Sequence, residues 1–173
     1  MNRLIIVILL LFNTSIYAQK FIASNGEISF FSETPLEDIS AVNKNVSAAF
    51  DASTNNLVFQ LQITDFIFPI ALMQEHFNEN YLESDIYPLS NFIGKVIDND
   101  DGSTIVEGDL TIHGQTNNIK VSGVLIQNKK SVFISAEFVV KLVDYNIKIP
   151  TIVMYKIAKE IDVRVNITLK QVE

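Results

Sequence analysis

Residues Ile161-Asp162-Val163-Arg164-Val165-Asn166-Ile167-Thr168-Leu169-Lys170 alternate apolar and polar without a slip. Successive side chains of a strand point to opposite faces, so Ile161, Val163, Val165, Ile167 and Leu169 share one face and only polar groups occupy the other. A one-residue shift would turn the whole apolar set into water, so the register of this segment is strongly specified. A strand with one greasy face needs partners of the same period.

The chain supplies them. Leu57, Phe59, Leu61 and Ile63 share a face against Gln60, Gln62 and Thr64, and Leu110 and Ile112 oppose Asp109, Thr111 and His113. Ile119, Val121, Gly123 and Leu125 oppose Lys120 and Ser122, while Ile134, Ala136, Phe138 and Val140 oppose Ser135 and Glu137. Phe133 and Val139 blur the outer face of that last segment. Ile28 with Phe30, and Phe92 with Val96, begin two more strands. Asn25-Gly26 and Asp101-Gly102 suit the positive φ of tight hairpins, and Asn117-Asn118 and Asn128-Lys129-Lys130 are polar breaks at hairpin spacing. Seven or eight antiparallel strands result. Closing them into a barrel removes the exposed edges, but a two-sheet sandwich carries the same periodicity.

One segment departs from period two. Ile70, Met73, Phe77 and Tyr81 recur at helical spacing with Glu75, Asn78 and Glu79 toward the other side, which predicts an amphipathic helix over about 69–81. Pro69 stands near its start, where a missing N–H is harmless. Phe66, Ile67 and Phe68 extend the apolar surface just before it.

The N-terminus reads as an export signal over residues 1–18: Arg3, an unbroken apolar run from Leu4 to Phe12, and a more polar end closing on Ala18. Such a run is too short to span a bilayer, which takes about 20 residues. Cleavage after Ala18 leaves residues 19–173 as one domain with no transmembrane anchor, in the periplasm or secreted. With no cysteine in the chain, neither a lipid-anchored start nor a disulfide is expected, and stability must come from burial. The formal charge of the whole chain is −7, and losing Arg3 makes it one unit more negative. Nucleic acid, which requires clustered Lys and Arg, is not expected as a partner, nor is electrostatic docking on anionic lipid.

Chemistry-bearing motifs are sparse. His76 and His113 are the two histidines. Glu75 and Glu79 align on a helix while His76 is offset by one position, so the three do not form a metal set, and the zinc-hydrolase spacing is absent. His76 reads instead as hydrogen-bonded beneath the helix. His113, at a strand end before Gly114, reads as satisfying a loop carbonyl. Asp98-Asn99-Asp100-Asp101-Gly102 places Ser103 at the sixth position where a calcium loop needs glycine, so it reads as a solvated hairpin tip. The sequon of Asn45-Val46-Ser47 is nominal, and that of Asn166-Ile167-Thr168 falls inside a strand. Nucleophile elbows, phosphate-binding glycine loops and dinucleotide fingerprints are missing. Asp144 and Glu160 would serve acid–base work only if folding set them in a cleft. No catalytic residue, metal or cofactor is expected.

The run Met73-Gln74-Glu75-His76-Phe77-Asn78-Glu79-Asn80-Tyr81, then Tyr87-Pro88, Gly94-Lys95-Val96, and Gly108-Asp109-Leu110-Thr111-Ile112-His113-Gly114, resembles in order and spacing the YceI-like domain family. Phe138, Asp144-Tyr145-Asn146-Ile147 and the terminal strand extend the resemblance over about residues 26–169. Two departures stand out: Asn80-Tyr81-Leu82-Glu83-Ser84-Asp85 replaces an aromatic-rich acidic segment, and Asn146 takes a place usually held by glycine, where Asn tolerates positive φ. The resemblance implies an all-β, single antiparallel lipocalin-like β-barrel with one short helix. It also implies a non-catalytic carrier of a long-chain isoprenoid or similar amphiphilic lipid in a continuous apolar tunnel. Phe30, Phe59, Leu61, Ile63, Phe92, Leu110, Ile112, Val121 and Phe138 are the expected inward-facing contacts. The rival reading is an envelope interaction module whose barrel is filled by its own side chains. The sequence leaves a homodimer open.

Overall fold

In the computed structural model, which describes residues 19–36, 38–100, 102–150 and 157–172, the period-two segments become eight strands of one closed sheet. They are β1 (Lys20–Ser32), β2 (Ile39–Asp51), β3 (Asn56–Gln62), β4 (Leu89–Asp100), β5 (Ser103–Ile112), β6 (Gln115–Gln127), β7 (Ser131–Lys141) and β8 (Glu160–Gln171). Each pairs antiparallel with its sequence neighbours, and β1 with β8 closes the ring, so no strand keeps a free edge. The choice between barrel and sandwich is thereby settled as a barrel. The segment read as an export signal lies outside the described residues.

The expected faces hold along β8. Ile161, Val165, Ile167 and Leu169 are buried, and their cross-strand partners on β7 are Val140, Ala136, Ile134 and Val132. Phe133 and Val139 face outward, as the blurred pattern of that strand foretold.

Two turn assignments need correcting. Asn25-Gly26 is no hairpin but a bulge inside β1, where the register to β2 shifts on both sides of Gly26. A side chain there would collide with Ile167 of β8, so glycine is needed for close approach within the wall. Asn117-Asn118 lies inside β6; the turn before it is His113-Gly114, with φ of 50° and 70°. Two consecutive positive φ values are what a two-residue hairpin requires. A histidine at the first of them hides the signal that Asn-Gly would display.

The helix is shorter than its pattern. An α-helix, α1 (Ala71–His76), passes into a π-type turn over Phe77–Tyr81, where the Leu82 N–H donates to the Phe77 carbonyl at 2.9 Å. Pro69 and Ile70 precede the helix rather than start it. Its entry is held by the Gln74 side chain, whose Oε1 accepts from the Phe68 N–H at 3.2 Å. Of the apolar triplet before the helix, Phe66 and Phe68 turn inward, but Ile67 pairs through its backbone with Val42 and is 67% exposed.

Two cores divide the interior. At one end, among the β2–β3, β4–β5 and β6–β7 hairpins, Phe21, Val132 and Leu169 are 0% exposed and pack with Phe50, Leu57, Leu125 and Ile134. That end is tied by backbone hydrogen bonds from Ala52 to Gln19, from Gln171 to Lys130 and from Val172 to Lys20. The second core, under α1 and the long connections, joins Ala41, Val46, Leu61, Ile63, Phe66, Phe68 and Leu82 to Leu110, Val140, Tyr145 and Ile147. Asn43 is a fully buried polar residue of β2. Its Nδ2 donates to the Gln62 carbonyl and its Oδ1 accepts from the Asn45 N–H, both at 2.9 Å, which removes the cost of burying an unpaired amide.

Candidate functional site: an apolar chamber under a helical lid

The half of the barrel beneath α1 contains a cavity of about 490 Å³. Its walls come from Ile28 and Phe30 of β1, Leu61 and Ile63 at the end of β3, Leu110 and Ile112 of β5, Phe138 and Val140 of β7, and Ile161 and Val163 of β8. Its roof comes from Phe66, Phe68, Met73, Phe77, Tyr81 and Leu82. The volume lies within the range of small-molecule sites, and the lining is far more uniformly apolar than recognition of a polar molecule would need.

The roof is held by four phenylalanines. Phe30 stands at the centre, with ring centroids 5.4 Å from Phe66, 5.6 Å from Phe68 and 5.5 Å from Phe77. Phe77 lies 5.0 Å from Phe68 and 5.6 Å from Phe66. The tilted and edge-to-face arrangements are those that aromatic quadrupoles favour. The greasy stripe of α1 thus meets a ring that rises from the wall, and the lid packs on β1.

Polar atoms in the walls are already engaged. Ser90 Oγ donates to the Thr111 carbonyl at 2.9 Å, and Ser32 Oγ accepts from the Ala158 N–H at 3.0 Å. His76 borders the chamber at its mouth, beside exposed Ile70 and Leu72. It is exposed there and makes no hydrogen bond to a described side chain or carbonyl, contrary to the expectation that it would be bonded beneath the helix; α1 ends at His76 and turns it outward. Tyr81 also borders the chamber, and burial raises its phenol above its ordinary pKa.

His113 does satisfy a loop carbonyl, and more. Its Nδ1–H donates to the Tyr145 carbonyl at 3.1 Å, and its Nε2 lies 2.8 Å from Glu83 Oε2. Its ring meets Tyr87 edge-on at 4.6 Å. One buried side chain thus links the segment after the lid to the turn before Asn146, whose φ of 55° is the left-handed conformation expected of it. Burial, and then the charge of neighbouring Asp144, raise the phenol of Tyr145. Asp144 and Glu160 form no cleft: Glu160 pairs with Lys141 at 3.6 Å on the surface. Among the described residues, no three His, Asp or Glu side chains gather at one point.

Of the nine expected contacts, Phe30, Leu61, Ile63, Leu110, Ile112 and Phe138 border the chamber. Phe59, Phe92 and Val121 do not. Phe59 packs against both cores, and Phe92, its cross-strand partner on β4, lies flat over the wall: a Cβ on Gly94 would sit 2.5 Å from its Cζ. Val121, opposite Val106, is half-buried and borders no part of the cavity. The continuous tunnel expected from the resemblance is therefore a chamber in one half of the barrel above a solid half. Sequence reasoning left out Ile28, Val140 and Val163 as contacts although their alternation was legible, because period two assigns a face but not a height along the barrel.

The fold is shared with solved structures. The chain is similar to BcnA of Burkholderia cenocepacia (16% identity, 83% of this chain and 95% of that one, TM-score 0.73). It is likewise similar to a polyisoprenoid binding domain from Saccharophagus degradans implicated in plant cell wall breakdown (11% identity, 90% and 99%, TM-score 0.76). A third is the YCEI protein of Campylobacter jejuni (19% identity, 76% and 84%, TM-score 0.63). At these identities the likeness is one of fold. No match was found among curated proteins. The profile of the YceI-like domain runs over residues 16–169, nearly the whole barrel and its lid, and the chain belongs to that family.

Proposed function

We propose that this protein is a non-catalytic carrier that holds an isoprenoid or similar amphiphilic lipid by its hydrocarbon tail. The supporting observation is the chamber of about 490 Å³, with apolar walls and wall serines already hydrogen-bonded. Such a site has nothing to offer a polar headgroup inside, so the head stays at the mouth near His76 and Tyr81. Burying a methylene contributes about 0.8 kcal/mol, and association costs ~4–15 kcal/mol, so between roughly five and twenty buried carbons are needed before binding is favourable. The polyisoprenoid binding domain from Saccharophagus degradans has the same fold, which fits this reading.

Residues 1–18 export the chain in this proposal, and it acts in the periplasm or outside the cell. No described helix is long and apolar enough to cross a membrane. The test is mass spectrometry of organic extracts from protein purified out of its own envelope. A prenyl or other single-tail lipid at near-stoichiometric yield is expected; a reproducibly empty chamber that takes up no prenyl lipid refutes the carrier.

The solid half of the barrel favours a second reading, an interaction module that uses the exposed Glu75 and Glu79 of the lid. Loss of a co-purifying partner on Glu75→Lys, with lipid content unchanged, would select it.

A further inference from the structure

The geometry points to a length limit on the ligand: the chamber is blind and accepts a single hydrocarbon chain of up to about four isoprene units. This rests on the carrier reading above and narrows its substrate class to short prenyl chains.

The floor is the first observation. Phe59 of β3 touches both cores, and beyond it Phe21, Leu57, Val132 and Leu169 are at most 2% exposed. The second is the far end itself, where the flanks of β1 and β8 are hydrogen-bonded across the hairpins, Gln19 to Ala52 and Gln171 to Lys130. A tail that enters under the lid therefore has no exit and must end above Phe59. The third is size. An apolar void of ~150 Å³ takes up one benzene, so the 490 Å³ chamber holds about three such rings, on the order of twenty carbons. Any further carbons would trail through the mouth into water and contribute little.

The test is a binding series with free prenols of two, three, four and nine isoprene units, measured by displacement of a fluorescent fatty probe from the intact barrel. Affinity is expected to rise at least about tenfold for each unit up to four, because each unit buries more hydrocarbon, and then to stop rising. A nine-unit prenol binding tenfold or more tighter than the four-unit prenol overturns the limit while leaving the carrier standing. No binding at any length overturns both.

Two variants move the floor in opposite directions. Phe59→Ala removes one ring and should let a five-unit prenol gain over the four-unit one. Leu110→Phe, beside Phe92, should shift the optimum down to three units. Thermal melting monitors folding, and Leu110→Phe keeps the limit refutable should Phe59→Ala fail to fold. An optimum unmoved in a folded variant counts against the blind floor.

Discussion

Replacing His113 by alanine should loosen the mouth of the barrel by an amount the structure allows us to work out. The ring is 7% exposed and its Nδ1–H is the donor to the Tyr145 carbonyl at 3.1 Å. Deleting the donor leaves a buried carbonyl unpaired, which costs about 1–3 kcal/mol. The contact with Glu83 adds little, since that side chain is 45% exposed and water competes for it; pairs of this kind contribute ~0–1 kcal/mol. Position 113 keeps its φ of 50° in either variant, and alanine is less tolerant of it than histidine, so no relief of strain offsets the loss. The total is about 1–4 kcal/mol, which in a domain of this size lowers the melting temperature by roughly 2–16 °C. Urea unfolding followed by tyrosine fluorescence measures it. Glu83→Gln, which keeps an oxygen acceptor, should cost under about 1 kcal/mol. A His113→Ala protein as stable as the parent, or a Glu83→Gln protein damaged as much as His113→Ala, would refute the clasp. Because Tyr145 precedes Ile147 of the chamber wall and Glu83 follows the lid, His113→Ala should also release a bound tail faster.

Ile112→Asp puts a carboxylate at the half-buried rim of the chamber and should abolish prenol uptake while the barrel still melts cooperatively; uptake that survives in the folded variant argues against ligand entry there. Alkali should loosen the lid half: burial raises the phenols of Tyr81 and Tyr145, so the folded state holds these protons more tightly than the unfolded chain. Their contribution is complete below the unfolded value of about 10 and is lost as pH climbs from there through the folded values; Tyr145→Phe should flatten that decline in a pH series of urea midpoints. Gly26→Ala should destabilise the barrel by about 1–3 kcal/mol by driving a methyl into Ile167, and Ile167→Ala should recover part of the loss in a double-mutant cycle. Additive losses would mean that the two residues do not collide.

Much of this molecule was legible in its order of residues. The run from Ile161 to Lys170 declares a strand and its buried face because alternation follows from backbone geometry within a few residues. A short helix, expected over about 69–81 and found at Ala71–His76, and the acidic hairpin after Asp98 were readable for the same local reason. Local chemistry misled where one residue type serves two conformations: Asn25-Gly26 suits a hairpin as well as a bulge, and only Ile167, far along the chain, decides for the bulge.

Fold class, strand faces and the apolar stripe of the lid were therefore determined by sequence alone. Whether the sheet closes, and which of its inward side chains enclose space, the tertiary structure decided. Phe30 and Phe59 both face inward from alternating strands, yet Phe30 borders the chamber while Phe59 is packed beneath it, between the two cores. Their difference lies in height along the barrel and in what stands across from them: Phe66, Phe68 and Phe77 over Phe30, a packed core against Phe59. A void exists only where facing side chains fail to meet, and that depends on pairing and stagger between strands far apart in the chain, which no local pattern records.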